Sequence, residues 1–159
     1  MTNVIGSLYA TLSIGAALAA TGLAAYTFFK SARKDLAIRF AFWTLVIALI
    51  DVSDGLRKLY AQSDDPTSTL FWTKFTVLGG IVFIPAFAEF CLSFPPKLEP
   101  IRSIIVSVAV ATAALLAAFL PGELLVNGLL RTPIGYSADF GKMILFFGPA
   151  FAIFNGVAF

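Results

Sequence analysis

Four charged residues interrupt the apolar stretches of this chain and are its main candidates for chemistry. Glu89 and Lys74 lie in one such stretch, and Asp51 and Asp54 lie in the stretch before it. An ionisable side chain inside a membrane-spanning segment costs roughly 2.5–3.5 kcal/mol on insertion scales. Residues retained against such a cost are candidates for binding a ligand, an ion or a proton, or for forming a structural ion pair.

Glu89 has two interpretations. It lies five residues before Phe94, where its apolar stretch ends, which places it roughly 7–8 Å inside the membrane boundary. From that depth the carboxylate can reach the boundary or pair with Arg39 or Arg102 at neighbouring helix ends. A structural ion pair and a ligand or proton role both stay open.

The second acidic group lies at the opposite membrane face. Asp54 precedes Arg57 by three residues and Lys58 by four, so all three share one face of a helix. This spacing indicates an interfacial charge cluster, and the alternative is a site for a cation or polar ligand. Lys74 lies one turn inside the next helix, from where we expect it to reach Asp51 or Asp54.

Several kinds of chemistry are excluded by residue type. The chain has no histidine, and its one cysteine, Cys91, cannot form an internal disulfide. Without histidine, the chain lacks the commonest nitrogen ligand of haem, zinc and copper sites. The sequence also has no Walker-type loop, no GxGxxG motif and no Ser-His-Asp set. We therefore expect no cofactor, no metal and no catalysis, and any catalytic domain would lie beyond Phe159.

Composition identifies the surroundings of the chain. Hydrophobic residues make up 59% and charged residues 13%, and the mean hydropathy is +0.92. Soluble domains are about 45–50% apolar and about 25% charged, so we expect a lipid bilayer around this chain. The net charge of +2 gives no indication of a nucleic-acid partner.

Long apolar stretches predict one membrane domain over residues 1–159. A spanning helix needs about 20 mostly apolar residues, and uniformly apolar runs favour helices over a barrel. The fold class is therefore an all-α bundle of five transmembrane helices, at about 3–29, 36–60, 68–94, 101–120 and 140–159.

Basic residues predict the orientation. The loops after the first and third helices are short and rich in Lys and Arg, as cytoplasmic loops are. The basic residues are Lys30, Arg33, Lys34 and Arg39 in the first loop, and Lys97 and Arg102 in the third. We expect the N-terminus outside, the C-terminus inside, and insertion in the cytoplasmic (inner) membrane.

An outer β-hairpin is predicted at 124–131. Asn127-Gly128 lies between two apolar runs, and both residue types accept the positive φ of a hairpin turn. An irregular apolar loop at the headgroup level is the alternative.

Small residues indicate where helices pack closely. In the first helix small residues recur every four positions, at Ser7, Thr11, Gly15 and Ala19. This spacing favours packing inside the bundle or between protomers. Gly79-Gly80 is expected to be where another helix fits, and Pro85 to kink its helix.

The stretch "FWTKFTVLGGIVFIPAFAEFCLSFPP" at residues 71–96 resembles a helix in the N-terminal seven-helix sensor region of bacterial and archaeal histidine kinases. The resemblance lies in Trp72, Gly79, Pro85 with Phe87, and the ending from Phe90 to Phe94. The stretch "LLVNGLLRTPIGYSADFGKMILFFGPAFAIF" is similar to that family's outer loop and following helix.

This resemblance implies a non-catalytic sensing or anchoring region of a signalling protein, with an outside N-terminus. The family has seven spans where five are predicted here, so we expect this sequence to be part of a longer protein. Other membrane helices are expected as partners, by self-association or in a larger complex. Two alternatives stay open: a small structural or accessory subunit of an integral membrane complex, and a transporter fragment.

The predicted orientation can be tested with a cysteine placed in the 31–35 loop of a Cys91-free variant. A membrane-impermeant thiol reagent should leave that cysteine unlabelled in intact cells and label it after lysis, because the loop is predicted to be cytoplasmic. Labelling without lysis would reverse the assignment.

Overall fold

The structure is a computed structural model that describes residues 2–94, 99–132, 135–142, 145, 148 and 149. Four helices and a two-stranded antiparallel sheet follow one another in the chain. Their bounds are α1 Thr2–Lys30, α2 Lys34–Gln62, α3 Pro66–Cys91, α4 Glu99–Ala118, β1 Val126–Thr132 and β2 Gly135–Phe140.

The four helices are each long and apolar enough to cross a membrane. Among the described residues, four of the five predicted segments are thus confirmed as helices long and apolar enough to span a membrane. The fifth, predicted at 140–159, lies mostly outside them, and its first residue, Phe140, ends strand β2.

Two helices end earlier than predicted, and proline accounts for both ends. Helix α3 ends at Cys91 instead of residue 94, and α4 ends at Ala118 instead of residue 120. Pro95 and Pro121 follow these ends in the sequence. A proline disfavours helical backbone at the residue before it, so the last residues of each apolar stretch leave the helix.

The helices pack in chain order, α1 on α2, α2 on α3 and α3 on α4. On α1 the face toward α2 is made of Ala10, Ala17 and Ala24, each at most 2% exposed. A Cβ atom at Gly55 of α2 would lie 3.2 Å from the carbonyl oxygen of Ala10. Small residues on both sides thus bring the two backbones close together.

The small-residue series predicted on α1 lies on a different face. Ser7, Thr11, Gly15 and Ala19 are all exposed, and a Cβ atom at Gly15 would meet nothing within 4 Å. Packing inside the bundle is therefore wrong for this series among the described residues. Packing between protomers stays a prediction. Alternating alanines on several faces of α1 made the choice of face ambiguous in the sequence.

Gly79 lies at the contact between α3 and α2. A Cβ atom there would come within 2.6 Å of Ile50 Cγ1. Its neighbour Gly80 is half-buried, and Pro85 lies within α3, which continues on both sides of it. The close approach to α2 therefore uses the first glycine of the pair.

The predicted hairpin is present, but Asn127 and Gly128 lie within its first strand and not at its turn. The last paired residues of the ladder are Thr132 and Gly135, so the strands reverse beyond Thr132. Val126 faces Phe140 and Gly128 faces Asp139, which leaves Asn127 as the extra residue of a β-bulge. Asn127 Nδ2 donates to Asp139 Oδ2 at 2.8 Å. An Asn-Gly pair suits a bulge as well as a turn, and the sequence did not separate the two.

The connection between α2 and α3 is a tight turn of acidic residues. Asp64 adopts a left-handed backbone with φ 57°. Asp65 caps α3 by accepting a hydrogen bond from the Ser68 backbone N–H at 3.0 Å, and Pro66 follows at the start of the helix. This hydrogen bond to the charged form lowers the pKa of the Asp65 carboxyl.

Gly79→Ala should lower the stability of the bundle by about 1–2 kcal/mol, because overpacking costs more than alanine gains in helix propensity. Gly15→Ala is the matched control, since its Cβ enters open space, and it should be neutral or slightly stabilising. Thermal unfolding in a neutral detergent measures both. Equal melting temperatures for the two variants would contradict the contact with Ile50.

Candidate functional site

Three side chains from three helices form an ion-pair cluster, called here the inner cluster: Arg39, Glu89 and Arg102. Arg39 Nη1 lies 2.9 Å from Glu89 Oε1, and Arg102 Nε lies 3.7 Å from Glu89 Oε2. The exposed fractions of the side chains are 25% for both arginines and 32% for Glu89. One carboxylate therefore holds two guanidinium groups in a partly covered site.

The antiparallel order of the helices brings the inner cluster together. Arg39 lies near the beginning of α2, Glu89 in the last turn of α3, and Arg102 in the first turn of α4. These ends all lie on the side predicted to be cytoplasmic. Glu89 therefore lies within reach of both Arg39 and Arg102, which the sequence had offered as alternative partners.

Ser93 completes the inner cluster and was not anticipated from the sequence. Its Oγ accepts a hydrogen bond from Arg39 Nη1 and donates one to the backbone carbonyl of Glu89 at 2.5 Å. The hydroxyl therefore ties the guanidinium to the end of α3. The sequence did contain a signal for this contact: Ser93 follows Glu89 by four residues, which is about one helical turn.

An aromatic group lies beside the inner cluster in the sequence, since Trp43 is one helical turn after Arg39 and Phe90 follows Glu89. Trp43 stacks on Phe90 with ring centroids 5.0 Å apart, and Phe40 and Phe87 approach the indole at 5.9 and 5.6 Å. Trp43 Nε1 is buried without a hydrogen-bond partner among the described residues. Apolar rings lower the local dielectric constant and strengthen the neighbouring ion pair.

A second ion-pair group, called the outer cluster, joins α1 to the other end of α2. Asp54 Oδ2 accepts a hydrogen bond from the Tyr9 hydroxyl at 2.6 Å, and Asp54 Oδ1 accepts one from Arg57 Nε at 2.8 Å. The ammonium of Lys58 lies 5.4 Å from the centroid of the Tyr9 ring. The predicted grouping of Asp54, Arg57 and Lys58 is present, and Tyr9 is the addition.

Lys74 and Asp51 do not join the outer cluster as expected. Lys74 Nζ donates to the carbonyl oxygen of Pro121 at 3.2 Å, because the side of α3 that carries it faces the end of α4. Asp51 is half-buried and forms no hydrogen bond or ion pair with the described residues. The expected Lys74 contact with Asp51 or Asp54 is therefore wrong.

The hairpin is attached to the turn between α2 and α3 by a third polar contact. Arg131 Nη2 lies 3.1 Å from Asp64 Oδ2. A hydrogen bond to the same carboxylate raises the pKa of the Tyr136 hydroxyl. The Arg131 and Asp64 side chains are both exposed, so the contact orients the hairpin and adds little stability.

The described residues hold no group of three His, Cys, Asp or Glu side chains that could bind a metal ion. In the inner cluster every charged group already has a partner of opposite charge. Its evident physical effect is to join the ends of three helices.

Comparisons with protein-family models, with curated protein sequences and with solved structures find no match to this chain. The resemblance to kinase sensor regions stays a prediction.

Glu89→Gln should lower stability by about 1 kcal/mol, because two half-covered arginines lose their counter-charge. Asp35→Asn is the control at the same end of the bundle, since its pair with Arg33 at 3.7 Å is exposed and should contribute almost nothing. Unfolding in increasing SDS, followed by tryptophan fluorescence, measures both. Equal losses of stability in the two variants would mean that the ion pairs of Glu89 contribute no more than the exposed pair of Asp35.

Proposed function

We propose that this chain is the membrane-embedded sensing or anchoring region of a signalling protein in the cytoplasmic membrane, non-catalytic in itself. A stimulus at the outer side would alter helix packing, and the altered packing would pass to domains on the inner side. Other helices, from a second copy or a larger complex, would complete the assembly.

The observation that carries this proposal is that α2 takes part in both clusters. Arg39 belongs to the inner cluster and Asp54 to the outer cluster. Fifteen residues of helix separate them, which is about 22 Å at 1.5 Å per residue. An α-helix moves nearly as a rigid rod over that length, so a shift at one end changes the contacts at the other.

The coupling route follows from the contacts at each end. Loss of the hydrogen bond between Tyr9 and Asp54 would release α1 from the outer end of α2. The resulting shift of α2 would move Arg39 relative to Glu89, which also holds Arg102 on α4. Helix shifts of about 1–2 Å are typical of such transitions.

The test is whether a change at the outer cluster reaches the inner end. In a Cys91→Ser background, spin labels on cysteines that replace Ala32 and Ser103, both exposed at the inner end, report the separation of the α1–α2 loop and α4. Asp54→Asn should shift the measured distance distribution by about 1–2 Å.

Asp139→Asn is the matched control, because it removes the charge of an outer hydrogen-bonded carboxylate that belongs to the hairpin. It should leave the distribution unchanged. An unchanged distribution in Asp54→Asn as well would mean that the two clusters are not coupled, and the sensing function would lose its support.

One observation favours a second candidate, a small structural or accessory subunit. The face of α1 that carries Ser7, Thr11, Gly15 and Ala19 is exposed, and small residues of this kind let another helix approach closely. Stable co-purification with a different integral membrane protein, together with an uncoupled outer cluster, would favour the subunit.

A further inference from the structure

An apolar groove runs between α1 and α2 near the loop that joins them, and is called here the α1–α2 groove. It has a volume of about 340 Å³. Its floor is formed by the buried alanines Ala24 and Ala41. Its walls are four exposed apolar side chains: Phe28, Ile38, Phe42 and Leu45. The small floor residues leave an apolar slot between bulky walls.

Basic residues lie where the groove reaches the membrane boundary. The loop joining α1 and α2 carries Lys30, Arg33 and Lys34, all exposed, against the single acid Asp35. Lys34 Nζ donates to the carbonyl oxygen of Phe28 at 2.8 Å and lies 5.7 Å from the centroid of the Phe28 ring. The positive charge is therefore in contact with a wall of the groove.

We propose that the α1–α2 groove and its basic loop bind one anionic phospholipid. The phosphate lies at Lys30, Arg33 and Lys34, and one acyl chain occupies the slot between the helices. A polar anion alone would not explain the apolar slot, and an apolar molecule alone would not explain the basic loop. Pockets that join these two features at the end of transmembrane helices suit anionic headgroups.

The loop can attract a phosphate because its positive charge is mostly uncompensated. Arg33 and Asp35 approach only to 3.7 Å with both side chains largely exposed. Arg39, by contrast, is already held by Glu89 and Ser93. This inference requires that the helices lie in a bilayer and does not depend on the signalling proposal.

The experiment is native mass spectrometry of the whole chain, released from neutral detergent and titrated with phosphatidylglycerol or with phosphatidylcholine of the same acyl chains. The chain should bind phosphatidylglycerol more tightly. Lys30→Gln and Arg33→Gln should each weaken that binding about fivefold. Lys142→Gln, an exposed basic residue next to the hairpin, should leave it unchanged.

The groove is tested separately with a matched pair of substitutions on α1. Ala25 lines the groove, so Ala25→Leu should fill it and weaken lipid binding about tenfold. Ala16→Leu places the same side chain at an exposed position of α1 away from the groove and should retain binding. Gel filtration and circular dichroism of every variant check that it is folded.

Three results would overturn the proposal. Equal affinity for the two lipids would mean that the basic loop does not select the headgroup. Unchanged binding in Ala25→Leu would mean that the acyl chain lies elsewhere. Displacement of phosphatidylglycerol by millimolar inorganic phosphate would mean that the loop binds a free anion and the groove contributes nothing.

Discussion

A peptide N–H or C=O left unpaired in hydrocarbon costs several kcal/mol, and most of this architecture follows from that constraint. The apolar stretches form continuous helices, which satisfy the backbone internally. Buried hydroxyls obey the same rule: Thr44 and Thr73 donate to carbonyl oxygens one turn back, at 2.7 and 2.8 Å. The two strands of the hairpin pair with each other. Arg131 and Asp64 attach the hairpin to the turn at the end of the bundle that is predicted to be outside.

The low dielectric constant of hydrocarbon also explains where the charged side chains lie. Ion pairs gather at the two ends of the bundle, where side chains can reach the boundary while their stems stay in lipid. Because each cluster joins different helices, the charges also decide which helix ends stay together. The inner cluster connects α2, α3 and α4, whereas the outer cluster connects α1 and α2. Helix α2 is common to both, so it is the element through which the two ends can influence each other.

Small residues make the closest approaches between these helices, beside larger side chains such as Ile81, Leu116 and Trp43 that also pack between them. Lipid chains are as apolar as leucine, so burial of leucine in the bundle gains little, and close backbone contact becomes the main source of attraction. Ala10, Ala17 and Ala24 supply that contact on α1, and Gly79 supplies it on α3. Where small floor residues lie between bulky walls, as at Ala24 and Ala41, a groove remains at the surface of the bundle.

The sequence by itself determined the lipid surroundings, four long helices, the hairpin and the candidate partners of Glu89. These depend on composition and local spacing, which are properties of short segments. Only the tertiary structure decided which face of α1 turns inward, where the hairpin reverses, and that Lys74 reaches Pro121 instead of Asp51 or Asp54. The physical reason is rotation: an alanine-rich helix such as α1 offers several faces of similar size and polarity. The neighbouring helix selects one of them through contacts distant in sequence. The roles of Ser93 and Trp43 emerged in the same way, because each depends on a partner from another helix.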